Sequence, residues 1–473
     1  MTTSTRRLAL SIDRALATGL DPSRGQRREL DPRLHEYQVR AVQHLQDHPR
    51  AVLMLDMGLG KTATVLQSLT PDHLPALVVA PKRITEHVWG PEARLWRPEL
   101  SVGICVGSPA KRQEVLDQEH DIYVISKENS HQVKPGRFKT LVLDELSRWK
   151  NPSTKGFKVA KRLAETCPNV WGLTGTPAPN GYPDLWGQIY LIDRGVRLKR
   201  TVTAFRSKWL YPAGQLPSGV VTKWKLRDFA KDDIDGLLSD ICLSMKSSDY
   251  LDMREPVLNP IRIELPPKVQ KIYKDMETGF VVDAQDDGVF SAGTAAAAQN
   301  KLSQITAGFI YPDSDEVERT ETLDLHDLKY QAVLEVVEGT GSPVLVFYRF
   351  KHERDRLLEL VPESELATDK GVIDRFAKGE VRVMLAHPAS MAHGLNLQKN
   401  CHTVVWSTLP WSSEEWSQAN ARVDRQGQTS QVVIHLVVAS GTVDEAIKKA
   451  VDEKISIQDS LMTALSGGVM KVT

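Results

Sequence analysis

Short apolar runs alternate with amphipathic stretches twice along this chain, and that rhythm restricts the fold more than any other feature of the sequence. AVLML (51–55), ALVVA (76–80), IYVIS (122–126) and TLVLDE (140–145) have almost no polar residue at alternate positions. They therefore read as strands buried on both faces, which is the signature of a parallel sheet covered by helices. Helical patterns fill the gaps between them, giving βαβ units. A second block begins near residue 325, with VLVFY (344–348), VRVMLA (381–386), HTVVWS (402–407) and VVIHLVV (432–438). Between the blocks the pattern breaks: Trp209, Pro212, Pro217, Gly219 and Trp224 punctuate an irregular stretch, followed by an amphipathic piece and an alanine-rich helix. The expected fold is α/β, two tandem lobes of parallel sheet flanked by helices with a helical insertion between them. The divisions fall at an arginine-rich arm (1–33), lobe one (34–195), the insertion (196–324), lobe two (325–440) and a C-terminal helix (441–473).

Charge narrows the function. Lysine plus arginine and aspartate plus glutamate both number 60, so the net charge is zero. Coating nucleic acid by bulk charge is excluded, whereas a local basic groove is not. No apolar run reaches the ~20 residues that span a bilayer, and the N-terminus lacks the apolar core of a secretory signal. No membrane partner is expected, and the cytoplasm is the expected location. The four cysteines, Cys105, Cys167, Cys242 and Cys401, form no CxxC, which argues against a disulfide framework and a structural zinc site. His44 and His48 stand four apart, a metal-compatible spacing, but no third ligand is near in sequence.

The chemistry starts where strand AVLML runs into DMGLGKT: Asp56, Met57, Gly58, Leu59, Gly60, Lys61 and Thr62, followed by the helical run TATVLQSL. A strand, a glycine loop and a helix N-terminus together cradle phosphate oxygens with backbone N–H groups. Lys61 is placed to reach the β- and γ-phosphates and Thr62 to hold Mg²⁺. Leu55 stands where the strict pattern has its first glycine. Such a cradle requires an acidic partner on a neighbouring strand, and TLVLDE ends in Asp144 and Glu145. Asp144 is assigned to the Mg²⁺ shell and Glu145 to the attacking water as general base. These residues imply hydrolysis of a nucleotide, with ATP and Mg²⁺.

DMGLGKT, DELS (144–147), LTGTPAPN (173–180) and QANARVDRQGQ (418–428), in that order and spacing, resemble the Swi/Snf-type ATPases of helicase superfamily two. The resemblance runs from about Leu34 to Leu436. It implies two RecA-like lobes that close on ATP and step along double-stranded DNA, moving along or remodelling the duplex. Gln38 of LHEYQ then reads adenine; His35 stands where the family usually carries arginine. Pro81 and Lys82 of VVAPKRI, and Gly394 and Asn396 of MAHGLNLQ, become DNA contacts. Thr174, Gly175 and Thr176 couple hydrolysis to movement. Arg422 and Arg425, three apart on a helix, become fingers on the γ-phosphate, and Gln418 shares their face. Ser147 replaces the histidine the family favours and is expected to bond toward the coupling motif. Trp89 and Trp96, seven apart, are expected to share one buried helix face.

The resemblance further implies a monomeric motor of the compact kind found in phages and bacteria, working in the host cytoplasm if a phage encodes it. Two alternatives share the same motifs: a motor subunit paired with a nuclease or defence complex, and a strand-separating helicase. The second needs a wedge, for which Trp209, Tyr211 and Trp224 are the aromatic cluster. A third, a binding scaffold with a dead nucleotide site, conflicts with the intact Lys61, Asp144, Glu145, Arg422 and Arg425.

Overall fold

The computed structural model describes residues 29–215, 219, 221–251, 253–279, 281–283, 289–291, 294–311, 322–391 and 396–466. Most of the arginine-rich arm (1–28) lies outside them. Its last residue, Arg33, bonds to Asp31 and lies 4.6 Å over the Trp96 ring, so the arm ends packed on lobe one.

Lobe one is built on β1 (Arg50–Leu55), β2 (Ala76–Ala80), β3 (Val102–Cys105), β4 (Ile122–Ser126), β5 (Thr140–Asp144) and β6 (Asn169–Thr174). A hairpin of β7 (Leu210–Gln215) and β8 (Val221–Leu226) follows, and then β9 (Cys242–Met245). The sheet runs β3-β4-β2-β5-β6-β1-β9 and every pairing is parallel. The continuous apolar runs are explained by its two covered faces: Val52 and Met54 of β1 enter one core, Ala51, Leu53 and Leu55 the other. A strand's side chains alternate, so only a sheet buried on both sides needs both sets apolar.

Lobe two repeats the plan. Its strands are β10 (Val257–Ile263), β15 (Val344–Phe347), β16 (Ser364–Leu366), β17 (Val383–Ala386), β18 (Thr403–Trp406) and β19 (Val433–Ala439), in the parallel order β10-β19-β18-β15-β17-β16. Two short antiparallel pairs lie between, β11 (Val281–Asp283) with β12 (Val289–Ser291) and β13 (Phe309–Ile310) with β14 (Leu323–Asp324). Leu345 and Phe347 face one core and Val344 and Val346 the other. The stretch 196–324 holds more than helices: besides the hairpin, it supplies β9, an edge strand of the first sheet, and β10, an edge strand of the second.

The C-terminal helix Val443–Ala464 belongs to both lobes. Val443, Ile447 and Val451, at helical spacing, enter the core of lobe two, while Leu461 and Met462, with Leu465 just beyond, enter that of lobe one. Its start is fixed by a fully buried ion pair, Lys329 Nζ to Asp444 Oδ2 at 2.7 Å. The hydroxyl of Thr306 and the amide of Ala439 each donate to Asp444 at 3.0 Å. Removing one partner of such a pair strands a buried charge, which costs about 3–5 kcal/mol. No helix among the described residues is long and apolar enough to cross a membrane.

Candidate active site

The ends of β1, β5 and β6 meet at one edge of lobe one, because β5-β6-β1 are neighbours in the sheet. The glycine loop leaves β1 there. Gly58 (φ +89°) and Gly60 (φ +74°) adopt the left-handed backbone that side chains disfavour, and Gly60 caps the helix Lys61–Ser68. Lys61 Nζ donates to the carbonyls of Leu55 at 2.7 Å and Asp56 at 3.3 Å, so the loop holds its lysine inward. Burial pushes the Lys61 ammonium down, while Glu145, Asp144 and Asp56 pull it back up. Asp56 is itself fixed by β9's trailing turn: Ser247 donates to its carboxylate through N (2.8 Å) and Oγ (3.2 Å). Met57 and Thr62 are half-buried, and Leu59 is buried.

Gln38, on the helix Glu36–Asp47, reaches this loop. Its Nε2 donates to Leu59 O at 3.3 Å, and its Oε1 accepts from the His35 amide at 2.9 Å. A Cβ on Gly60 would lie 2.2 Å from Gln38 Nε2, so the glycine is what admits the amide. The His35 ring stacks on Tyr37 at 5.2 Å, and Tyr37 in turn meets Tyr250 at 5.0 Å.

Asp144 and Glu145 differ in setting. Burial pushes Asp144 up, opposed by the Trp89 indole, which donates to its Oδ2 at 3.0 Å. Trp89 is fully buried, and Trp96, at the other end of the same short helix (Trp89–Trp96), is half-buried against the same core and bonded to Glu92 at 2.9 Å. The pair packs on one core from the same helix, as the spacing predicts, and Trp89 in addition holds a carboxylate, a role its spacing does not announce. Glu145 sits at φ +57°, a left-handed conformation in a non-glycine residue, immediately after β5. Such strain recurs at functional sites. Burial pushes the Glu145 carboxyl up to about 7, with Lys61 opposing and Asp144 and Glu414 reinforcing the rise. Its Oε2 is buried without a hydrogen-bond partner among the described residues. The oxygen donors of Thr62 and Asp144 are of the hard type that Mg²⁺ takes, so this donor set fits the ion.

The segment 174–176, expected to couple hydrolysis to movement, lies against the same loop. Thr174 and Thr176 are buried, and the Thr176 amide donates to Thr174 Oγ1 at 3.0 Å. A Cβ on Gly175 would stand 3.3 Å from Leu55 O and 3.4 Å from Lys61 Nζ, so this glycine permits the close approach. Thr176 Oγ1 is buried without a hydrogen-bond partner among the described residues.

Lobe two closes the site. The Cβ of Arg425 lies 3.9 Å from the Cβ position of Gly58. Arg422 is buried, and burial together with Arg425 lowers it to about 10, with Glu145 across the cleft opposing. Neither arginine is on a helix. The helix Ser413–Asn420 ends before them, and both lie in the turns that follow. Where the helix stops, tighter amide bonds, such as Arg422 N to Ala419 O at 3.2 Å, replace the helical ladder, and the Trp406 indole donates to Asn420 Oδ1 at 3.0 Å. Gln418, buried on that helix, bonds Glu414 Oε1 at 3.3 Å, and its carbonyl accepts from Arg422 Nε at 3.1 Å. Ser147 does not reach the coupling motif. It donates to Glu414 in lobe two at 3.0 Å, and Glu414 is a site residue with no motif to mark it.

The expected DNA contacts are less uniform. Pro81 caps the helix Lys82–His87, and the Lys82 side chain is 74% exposed, 3.9 Å from Glu86. The neighbouring Arg83 spans the cleft to Ser390 O at 2.5 Å. Asn396 accepts from Arg425 rather than standing free, and Gly394 lies outside the described residues.

A phosphate loop and an acidic strand end in one parallel lobe, faced by paired arginines from a second, define a two-lobed nucleotide hydrolase. Residues 37–307 match the model of the SNF2-related domain. The chain belongs to this family, the SNF2-type ATPases of helicase superfamily two. It is 34% identical over 455 residues to protein p41 of Acyrthosiphon pisum secondary endosymbiont phage 1, covering 91% of this chain and 98% of that protein. It is 27% identical to the SWI/SNF-related matrix-associated actin-dependent regulator of chromatin subfamily A-like protein 1 of Xenopus laevis, over 86% of this chain but 42% of the frog protein. The chain thus spans less than half of that larger relative. Among solved structures, the Sulfolobus solfataricus SWI2/SNF2 ATPase core in complex with dsDNA is 20% identical, with 93% of this chain and 96% of that one covered, at a TM-score of 0.45.

Proposed function

We propose that the chain is a DNA-stimulated ATP hydrolase that moves along or remodels duplex DNA, working as a single-chain motor. The observation that carries this reading is the composite site: Arg425 of lobe two reaches Gly58 of the phosphate loop, and Arg422 shares a charged neighbourhood with Glu145. A site assembled from two lobes turns over only when they meet, so a ligand that favours their meeting controls hydrolysis. Lys61 and the loop amides from Asp56 to Thr62 bind the phosphates, and Gln38 addresses the adenine edge. Thr62 and Asp144 would hold Mg²⁺, which when bound neutralises phosphate charge. Glu145 takes the proton of the attacking water. Arg422 and Arg425 meet negative charge as it redistributes on the γ-phosphate, where such fingers contribute roughly 10³–10⁵ in rate. Gln418 carries Arg422 on its carbonyl. Thr174, Gly175 and Thr176, touching the loop, relay its state toward Ser413, which donates to Pro179 O at 2.8 Å across the cleft.

The test is the steady-state ATPase rate of the chain with no nucleic acid, blunt duplex DNA, single-stranded DNA and RNA. Duplex stimulation is the expected result. Equal rates in all four conditions would overturn the motor reading.

A further inference from the structure

The net charge of zero conceals one segment of a single sign. Between residues 194 and 227 there are nine lysines and arginines and no aspartate or glutamate. The β7–β8 hairpin lies inside it. Along β8 the residues sort by face: Trp224 and Leu226 pack against the core of lobe one, while the alternating Lys223 and Lys225 are exposed, as is Arg227 just beyond. Tyr211 of β7 stands opposite Lys225 in the register, so the two share the outer face, and Tyr211 is 40% exposed. Two other cations of the segment are already matched: Lys208 pairs with Asp233 at 2.8 Å, and Arg197 with Asp193 and Asp240. Lys223, Lys225 and Arg227 have no ion pair among the described residues.

We propose that this outer hairpin face binds an unpaired strand of DNA, outside the interlobe nucleotide site; the choice of DNA as partner rests on the motor reading above. Two strand residues advance about 6.8 Å, so Lys223 and Lys225 form a row of cations suited to successive phosphates of one strand. Anchoring Trp224 and Leu226 in the core holds that row rigid. The exposed Tyr211 ring selects the form of DNA. In an intact duplex the base faces are covered by their neighbours, whereas an unpaired strand offers them for stacking beside the cations that take its phosphates. The hairpin would thus engage a displaced or flanking single strand while the lobes act on the duplex.

The test uses the full chain, with fluorescence anisotropy of a labelled oligothymidylate and of a blunt duplex. Lys223→Gln with Lys225→Gln should weaken oligothymidylate binding about tenfold and flatten its salt slope by about 1.4, the value for two lost single-strand phosphate contacts. Tyr211→Ala should weaken it about fivefold or more through lost stacking. Duplex affinity and duplex-stimulated ATPase should stay within twofold of the parent, which also reports that the variants are folded. Unchanged oligothymidylate binding overturns the proposal. So does a parallel loss of duplex affinity, which would make the hairpin part of a general groove, or competition by polyglutamate as effective as that by unlabelled oligothymidylate. If no DNA stimulates the parent ATPase while the single strand still binds through Lys223 and Lys225, the motor reading fails and this one stands.

Discussion

The hydroxyl of Ser147, two residues past the acidic strand end of lobe one, donates to Glu414 of lobe two at 3.0 Å. Glu414 also receives Gln418 at 3.3 Å and faces Lys150 at 3.9 Å, so one carboxylate gathers donors from both sides of the cleft. A hydrogen bond to a charged group contributes about 1.5–3 kcal/mol. If the closed cleft is the state that turns over, Glu414→Ala should lower DNA-stimulated ATPase about tenfold or more and Ser147→Ala less. Affinity for a fluorescent nucleotide should hold in both. Parental turnover in both variants would remove the contact from the mechanism.

Glu145 gives a pH-dependent stability with a definite sign. Burial raises its folded value to about 7 from 4.5. Below the unfolded value both states carry the proton and nothing is lost; between 4.5 and 7 stability falls as pH rises, and above 7 the full cost remains. Glu145→Gln should therefore melt higher than the parent at pH 8, by at most about 3 kcal/mol, with the gap closing as pH falls toward 4.5. The same variant should bind ATP and not hydrolyse it. A stability gap that is constant with pH contradicts the buried, proton-binding carboxyl.

If Arg422 and Arg425 act, as proposed, on charge that appears during transfer, their loss should fall on rate. Replacing either by alanine should cost roughly 10³–10⁵ in DNA-stimulated turnover and leave nucleotide affinity within a few-fold. Lysine should rescue poorly, because it lacks the planar fork. Lys61→Ala should instead lose nucleotide binding. An Arg425→Ala enzyme with full DNA stimulation would sink the finger assignment.

Trp89 predicts a metal-dependent phenotype. Its indole is a buried donor to Asp144, the carboxylate assigned to Mg²⁺. Trp89→Phe keeps an aromatic ring, though a smaller one, and deletes the donor, so Asp144 should ionise less readily. The Mg²⁺ concentration for half-maximal ATPase should rise, and the fold should lose about 1–3 kcal/mol. An unchanged Mg²⁺ titration would reduce Trp89 to packing.

The phosphate loop was legible because its chemistry is local: glycines, lysine and threonine within seven residues, between a strand and a helix. The lobes were legible because strands buried on both faces must be apolar throughout. What escaped had no local signal. β9 is only four residues long, and β10 carries Pro260 and exposes Val257 and Leu258, so neither reads as a buried strand. The arginines lie in turns just past the helix end, where Trp406 holds Asn420 from fourteen residues away. Trp89 meets Asp144 across 55 residues, and Ser147 meets Glu414 across 267. Such pairings are written in the topology, not in spacing.

The C-terminal helix fixes when lobe one can be finished. Ser244 donates to Met462, 218 residues later in the chain, and Leu461 and Leu465 seal the same patch. At roughly 5–20 residues per second of synthesis, the ribosome needs on the order of 10–40 seconds to supply that cover. Throughout that interval every other strand of the first sheet already exists, and the apolar seat beside β9 stays open to water. The lobe made first is the one that waits, and its assembly is timed by the synthesis of that helix.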